Sequence, residues 1–516
     1  MELKIGITDI LPHWTQILHQ IGVQFQKIKF NEEIKPDDYP VIVVNAIQNS
    51  KNKKILNKYL EDGGCVLTEA GVANQVFELP LSSIFIKYVT PENSSPLKYM
   101  QLFDLDLKTQ VHQESNFLPN QDANFTCSMQ KIKNGNLIVF PGGFTNLVTE
   151  YRVKRKNFLS ISDKGFPSER VSAVTKGGIR HAIYRALVYL FHIRGLPLIH
   201  TWNLPDGLTS LFCFRIDTDF ASQSQVEECY EMCRKYDISA SWFIEAKSQG
   251  GWVDYYAKME KQEIAYHCYS HRIFEDYKEN LKDIETGLNI LKRAGVEPKG
   301  YAAPNGEWNS VLNEALQTKG FNYSSEFGLS YDDLPFFPLV RKDFSEILQI
   351  PIHPISSRRL KVAKHTEDEI FQYYVRVMSE KQLLGEPVIF YHHPVHDHFE
   401  IFDKLFQETK ARKIPNLSMG EYAEWWRKRI LAKYTVYFLN GKLDIRTLNT
   451  DPSIWLLANY PSGKRELIQL IRHDHKMELP AIPKAIENGY DPKRLRKFNW
   501  RMMISDFENY FGKMRR

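Results

Sequence analysis

Cysteine is scarce in this chain, with six among 516 residues. Cys229 and Cys233 stand one helical turn apart, Cys65, Cys127 and Cys213 are isolated, and Cys268 lies between two histidines, so the spacing makes no disulfide framework. Reduced, mostly buried thiols are expected. No uninterrupted run of about 18 apolar residues occurs, the length a membrane-crossing helix needs. The opening MELKIGITDILPHW lacks the basic segment, apolar segment and small-residue cleavage site of a secretory signal, and a cytoplasmic location is the expectation. Charge of one sign is also in short supply. A net charge of +5, without a basic block interleaved with aromatics along one face, speaks against a nucleic-acid partner. H-E-x-x-H is missing, which removes the zincin metalloprotease reading, and no Gly-x-Cys-x-Gly surrounds Cys65 to mark a nucleophilic thiol.

What is present is alternation of strand and helix signals over a length that implies two to four domains. In residues 1–203, LKIGITDI, PVIVVNAI, CVLTEAG and NLIVFPGG read as strands and KNKKILNKYLEDGG as a helix closed by glycines. This pattern predicts a flavodoxin-like or amidotransferase-like α/β domain in an accessory, non-catalytic role. In residues 204–430, SLFCFRID, ASWFIEA, EIAYHCYS, KGYAAP, FNYSSEF, EILQIPIHPI and EPVIFYHH alternate with helical stretches, which predicts a distorted (β/α) barrel. Residues 431–516 predict a small β-rich domain with a hairpin at Asn440-Gly441, a further strand in SIWLLANY and a basic terminal helix. That helix is expected to pack on the protein. Membrane-surface contact is disfavoured because its apolar residues are mixed with Asp506 and Glu508.

The barrel-like segment holds a dispersed set of acids and histidines, each at the end of a strand-like run: Asp217 and Asp219, then His267 and His271, then His393. One carboxylate and two imidazoles suffice to hold a catalytic divalent metal with a position left open. On a strand, Arg215, Asp217 and Asp219 share one face while Phe214 and Ile216 share the other. Two adjacent carboxylates call for a metal, a cation or a shared proton. Asp-x-Asp alone is better read as a surface pair, and two histidines alone are as well explained by a hydrogen-bonded core. Together in one segment they favour the metal, with His267 and His271 on a strand-to-loop turn.

The order of these phrases resembles the polysaccharide deacetylases, the NodB-homology or carbohydrate esterase family 4 group. There an Asp-Asp or Asp-x-Asp strand end precedes a phrase like ASWFIEA, a His-x-x-x-His segment, a helix ending in Gly, an Arg-x-Pro turn, a Tyr-x-Ser-Ser phrase and a late strand ending in His. Here the turn reads Ala302-Ala303-Pro304-Asn305-Gly306 and the next phrase NYSSEF. The resemblance covers roughly 204–430. It implies Asp219, His267 and His271 as metal ligands, Asp217 as general base, His393 as general acid with His392 as fallback, and the backbone N–H of Asn305 at the oxyanion. Zinc is the implied metal, with cobalt, nickel or iron as alternatives.

The chain departs from the family pattern at Ala302, where the base-orienting arginine belongs, and no bracing acid is evident near Asp332 and Asp333. Arg215, on the Asp217 face, is the hypothesised replacement. Trp308, Tyr331, Phe336 and Phe337 follow the turn and are candidates for stacking on a sugar ring. His353, His365, His396 and His398 are read as surface or structural. The resemblance implies a metal-dependent deacetylase releasing acetate from an N-acetylated amino sugar in a glycan or glycan precursor, with membrane association only through a lipid-linked substrate. The rivals are another non-peptide C–N hydrolase, such as a deformylase, and a glycan-binding protein that has lost turnover.

Overall fold

Seven parallel strands curl into a barrel-like sheet in the computed structural model of the chain, which describes every residue except 31–32, 48, 90–95, 98–99, 101–102, 114–123, 126, 161–164, 482–497 and 515–516. The spatial order is Leu348–Gln349, Tyr323–Ser324, Gly300–Tyr301, Glu263–Cys268, Ala240–Glu245, Phe212–Asp217, Val388–His392. All residues of Phe212–Asp217, Ala240–Glu245 and Val388–His392 are buried, as expected for parallel strands covered on both faces. The two outer strands of the order do not pair directly. The chain beyond Leu348–Gln349 crosses that seam, with Ile350 N–H donating to Ser324 O at 2.8 Å and His353 N–H to Ile389 O at 3.0 Å.

The alternation in FCFRID sorts the two faces. Phe214 packs outward between Phe402 and Phe406, at ring distances of 5.3 and 4.9 Å, whereas Arg215 and Asp217 take the other face. The surrounding helices begin where the sequence offers caps. Ser222 with Gln225 and Thr366 with Glu369 form capping boxes, Asp276 accepts from Glu279 N–H, and Gly385 closes Glu367–Leu384 in a left-handed conformation.

One irregularity bears directly on function. Between Ala240–Glu245 and Glu263–Cys268 the register pairs Ile244 with Tyr266 and then Glu245 with Cys268. His267 is therefore the extra residue of a β-bulge, a device that re-aims a side chain at a strand end.

Contacts divide the chain into two units: Met1–Glu150, Val174–Gly207 and Arg427–Glu487 in the first, Tyr151–Ala173, Leu208–Trp426 and Asn488–Arg516 in the second. The first holds a sheet ordered Phe25–Lys27, Ile5–Ile7, Val41–Val44, Cys65–Glu69, Gly135–Phe140, Ser128–Ile132, with the last strand antiparallel. The switch of direction around Ile5–Ile7 is that of a doubly wound sheet.

These divisions differ from the three consecutive segments expected from the sequence. The hairpin Tyr434–Leu439 and Lys442–Thr447 does turn at Asn440 and Gly441, both with positive φ (50° and 76°). Trp455–Asn459, however, pairs with Leu198–Thr201 as well as with Arg465–Gln469, so these strands complete a sheet of the first unit, while Asn488–Arg516 falls in the second. Conversely, the hairpin Val153–Asn157 and Ser168–Ser172 belongs with the second unit, where Ser172 N–H donates to Phe327 O at 3.0 Å. Short-range pattern identifies a strand but not its non-local partner. Among the described residues no helix is long and apolar enough to cross a membrane.

Candidate active site

Asp219, His267 and His271 converge beyond the C-terminal ends of the central strands, with their ligand atoms all within 4.8 Å of one another. Asp219 Oδ1 lies 2.8 Å from His267 Nε2, and Oδ2 lies 2.8 Å from His271 Nε2. His267 Nδ1–H donates to Ala302 O at 2.6 Å, which fixes the tautomer and leaves Nε2 with a lone pair facing the cluster. Asp219 Oδ1 and His267 Nε2 are buried and, close as they are, make no hydrogen bond. Two such orphaned atoms aimed at one point, with an N,N,O donor set, fit a divalent cation.

Electrostatics agrees. Burial works against charge at Asp219, yet His271 and His267 outweigh it and hold the carboxyl well below the usual range. Burial likewise opposes protonation of His267, but Asp219 and then Asp217 overcome it and raise its pKa. The cluster favours positive charge between its members.

The second histidine sits on a strained turn, with His271 at φ 51°. Asp283, on the helix Tyr277–Arg293, secures this turn by accepting from the backbone N–H groups of Tyr269 and Ser270 (3.3 and 3.0 Å) and from the Ser270 hydroxyl. Nothing in its local sequence singles out Asp283.

Asp217 is held by Arg215. Arg215 Nε donates to Oδ1 at 2.6 Å and Nη2 to Oδ2 at 2.7 Å, while Nη1 donates to Ser325 O at 2.5 Å and to Ser325 Oγ at 3.1 Å. The guanidinium is wholly buried, 5.2 Å from the Phe243 ring centre and 5.7 Å from that of Tyr391. Burial disfavours its charge, and Asp217 more than restores it. Asp332 and Asp333 are elsewhere: Asp332 pairs with His353 at 3.1 Å and Lys381 at 3.4 Å, and Asp333 accepts from Leu334 N–H. The brace of the arginine is thus the Ser325 carbonyl and hydroxyl.

His393 Nε2 stands 3.8 Å from Asp217 Oδ2 and 3.9 Å from Asp219 Oδ2. Burial lowers its pKa, against the pull of the two carboxylates. His392 points to the opposite face, its ring 4.3 Å from that of Phe402, and does not join the site. His396 meets His393 edge-on at 5.1 Å and faces Arg358 Nη1 at 3.2 Å; burial, then His393 and Arg358, drive its pKa down to about 2. His398 bonds Ser357 Oγ at 3.0 Å, and His353 and His365 are buried structural groups and not surface ones.

Asn305, exposed, occupies the Pro304–Gly306 turn at φ 57°. Gly306 follows at φ 62°, where a Cβ would meet the Phe327 ring at 2.4 Å, so only glycine fits. Glu326 Oε1 accepts from Ala303 N–H at 3.1 Å, tying this turn to the residue beside the Arg215 brace. Burial pushes the Glu326 carboxyl up to about 7, against a Ser324 hydrogen bond, the Arg215 charge and the Ala303 N–H. Glu326 was visible as the residue after the Ser-Ser phrase, but no pattern assigned it a role.

The proposed aromatic wall needs correction. Trp308, Tyr331 and Phe336 are only 9, 5 and 2 % exposed. The hairpin-bearing segment covers two of them: Tyr151 packs on Trp308 at 4.8 Å, Phe158 on Tyr331 at 5.5 Å, and Lys156 Nζ donates to the Tyr331 hydroxyl at 3.1 Å. Phe337 alone of the four remains partly exposed.

The curled parallel sheet thus carries an Asp-His-His cluster with a second carboxylate beside it. Residues 215–324 match the family model described as polysaccharide deacetylase, the same stretch in which the motif order resembles that family. A peptidoglycan deacetylase of Helicobacter pylori is 27% identical over 138 residues, which is 25% of this chain and 45% of that protein. The match thus spans less than half of the relative's length. Among solved structures, a putative polysaccharide deacetylase from Mycobacterium smegmatis has a TM-score of 0.38 at 19% identity, covering 43% of this chain and 92% of that one. A probable polysaccharide deacetylase from Pseudomonas aeruginosa PAO1 has a TM-score of 0.36 at 14% identity, covering 43% and 91%.

Proposed function

We propose that the chain is a metal-dependent deacetylase that hydrolyses the N-acetyl group of an amino sugar in a glycan or glycan precursor and releases acetate. The observation that carries this reading is the convergence of Asp219, His267 and His271, with Asp217 and His393 beside them. Asp219, His267 and His271 would hold a divalent cation, and the two imidazoles and one carboxylate suit zinc, with cobalt, nickel or iron as substitutes. When bound, such a cation polarises the acyl carbonyl and acidifies water.

The chain's own groups supply the rest. Asp217, clamped at both oxygens by Arg215, takes the proton of the attacking water. His393 delivers a proton to the departing amine, and the carboxylates of Asp217 and Asp219 facing it support its protonated form. The backbone N–H of Asn305 serves the developing oxyanion. Arg215 is a positioning residue that replaces the arginine lost at Ala302. The first unit is read as an accessory flavodoxin- or amidotransferase-like domain without thiol chemistry, since Cys65 is buried and burial pushes its thiol up to about 11.

The test is acetate release from N-acetylated chitooligosaccharides and from peptidoglycan fragments by the zinc-loaded protein. Asp217→Asn should abolish release while metal content stays unchanged. Tight sugar binding by metal-replete wild type with no acetate, formate or other acyl product would replace this reading with a binding protein.

A further inference from the structure

Exposed apolar side chains gather at the terminal helix, Trp500–Met514. Phe498, Trp500, Ile504 and Phe507 are 63, 65, 53 and 54 % exposed, and among the described large apolar residues only Leu431 and Leu448 exceed them. At about 100° per residue, Trp500, Ile504 and Phe507 fall within roughly 60° of one another. The opposite side is the one packed on the protein. Met502 and Ser505 are buried, Asn499 Nδ2 donates to Phe166 O at 2.8 Å, and Asp506 pairs with Arg359 Nη1 at 2.6 Å and with Arg155. Among its described residues the helix is held by these polar contacts and by buried Met502, and it turns Trp500, Ile504 and Phe507 outward, the reverse of an ordinary surface helix.

The same terminal stretch carries the chain's positive charge. Residues 493–516 read KRLRKFNWRMMISDFENYFGKMRR, with eight basic side chains against two acidic ones, an excess larger than the net +5 of the whole chain. Of the two acids that argued against a lipid-facing role in the sequence, Asp506 and Glu508, Asp506 lies on the attached side and is neutralised there by two arginines. We propose that this stripe is an interfacial anchor that seats the protein on an anionic lipid surface. Trp500 and Phe498 provide rings suited to the headgroup level, Ile504 and Phe507 provide apolar area, and the basic residues provide the second, electrostatic signal that stable anchoring requires. A second copy of the chain is the poorer occupant, because pairing the stripes would bring two strongly cationic segments together.

The anchor lies close to the site through one short helix. Ser357–Val362 receives Asp506 through Arg359 and also carries Arg358, whose Nη1 is 3.2 Å from Nε2 of His396, the residue set edge-on against His393.

The test is co-sedimentation of the full chain with vesicles of phosphatidylcholine alone and of phosphatidylcholine mixed with phosphatidylglycerol. Wild type should pellet with the anionic vesicles, less with the neutral ones, and less as salt is raised. The triple variant Trp500→Ser, Ile504→Ser, Phe507→Ser should lose about tenfold in bound fraction, with an unchanged circular dichroism spectrum. Wild type remaining in the supernatant over anionic vesicles, or a triple variant that binds as well as wild type, overturns the proposal. So does light scattering that finds a dimer which the triple variant dissolves, since the stripe would then be a contact between copies.

Discussion

Arg215 and Asp217, two residues apart on one strand, form a buried bidentate pair at 2.6 and 2.7 Å, and the arginine is anchored on its far side by Ser325. A planar guanidinium can hold both carboxylate oxygens at once, which a lysine ammonium cannot. Arg215→Lys should therefore leave metal content and KM near wild type and reduce kcat by about 10². Steady-state kinetics with metal analysis reads this directly, and an unchanged kcat would deny Arg215 its positioning role. Arg215→Ala strips a buried carboxylate of its partner, and chemical denaturation should show a loss of about 3–5 kcal/mol.

Asp283 acts on the Asp219, His267 and His271 cluster through the turn that carries His271. Asp283→Ala should weaken zinc affinity about 10–100-fold, as loss of an outer-shell support does, without removing a ligand. Competition with a chromogenic chelator measures it. Asp219→Asn and His271→Ala should leave the purified protein essentially without metal, and wild-type affinity in either would remove that residue from the ligand set.

Glu326 links protonation to stability. Its folded pKa of about 7 stands above the model-compound 4.5, so its contribution is complete below about 4.5 and is lost as pH rises through about 7, where a buried carboxylate must ionise. The difference corresponds to at most about 3 kcal/mol. Denaturation midpoints across pH 4.5–8 should fall more steeply for wild type than for Glu326→Gln, which does not titrate. Identical slopes would mean that Glu326 does not carry this dependence.

Gly306 has no room for a side chain, with φ at 62° and Phe327 2.4 Å from the Cβ position. Gly306→Ala should cost about 1–3 kcal/mol and, by shifting the Asn305 turn, reduce kcat more than it raises KM. Loss of stability with kinetics unchanged would separate this turn from the chemistry.

The buried and exposed aromatics should separate in kind. Trp308→Ala empties a covered site and should destabilise by about 3–5 kcal/mol in urea. Phe337→Ala, at a partly exposed residue, should change stability little, within about 0.5 kcal/mol, and act on KM if that ring touches the sugar.

Much of the candidate site was legible because its residues are local events: a polar side chain at the end of an apolar run, a histidine pair four residues apart, a proline turn closed by glycine. The order of those events sufficed to connect Asp217, Asp219, His267, His271 and His393, and the alternation of FCFRID was enough to turn Arg215 toward Asp217. Asn440-Gly441 likewise carried its own hairpin, since both residues tolerate the positive φ that the turn imposes.

Other features depend on residues distant in sequence. Whether Trp308 and Tyr331 face a sugar or a protein ring was decided by Tyr151 and Phe158, more than 150 residues earlier, and the brace of Arg215 came from Ser325, 110 residues later. The pairing of Trp455–Asn459 with Leu198–Thr201 crosses some 250 residues. A strand's hydrophobic pattern states that it must be covered and leaves its partner open, because the partner is set by the global packing of apolar surface. The sequence alone thus determined which chemical groups stand at the strand ends. Tertiary structure decided how they are oriented and covered: His267 through a bulge, His271 through a turn tied to Asp283, and the terminal helix with Asp506 inward and Trp500, Ile504 and Phe507 outward.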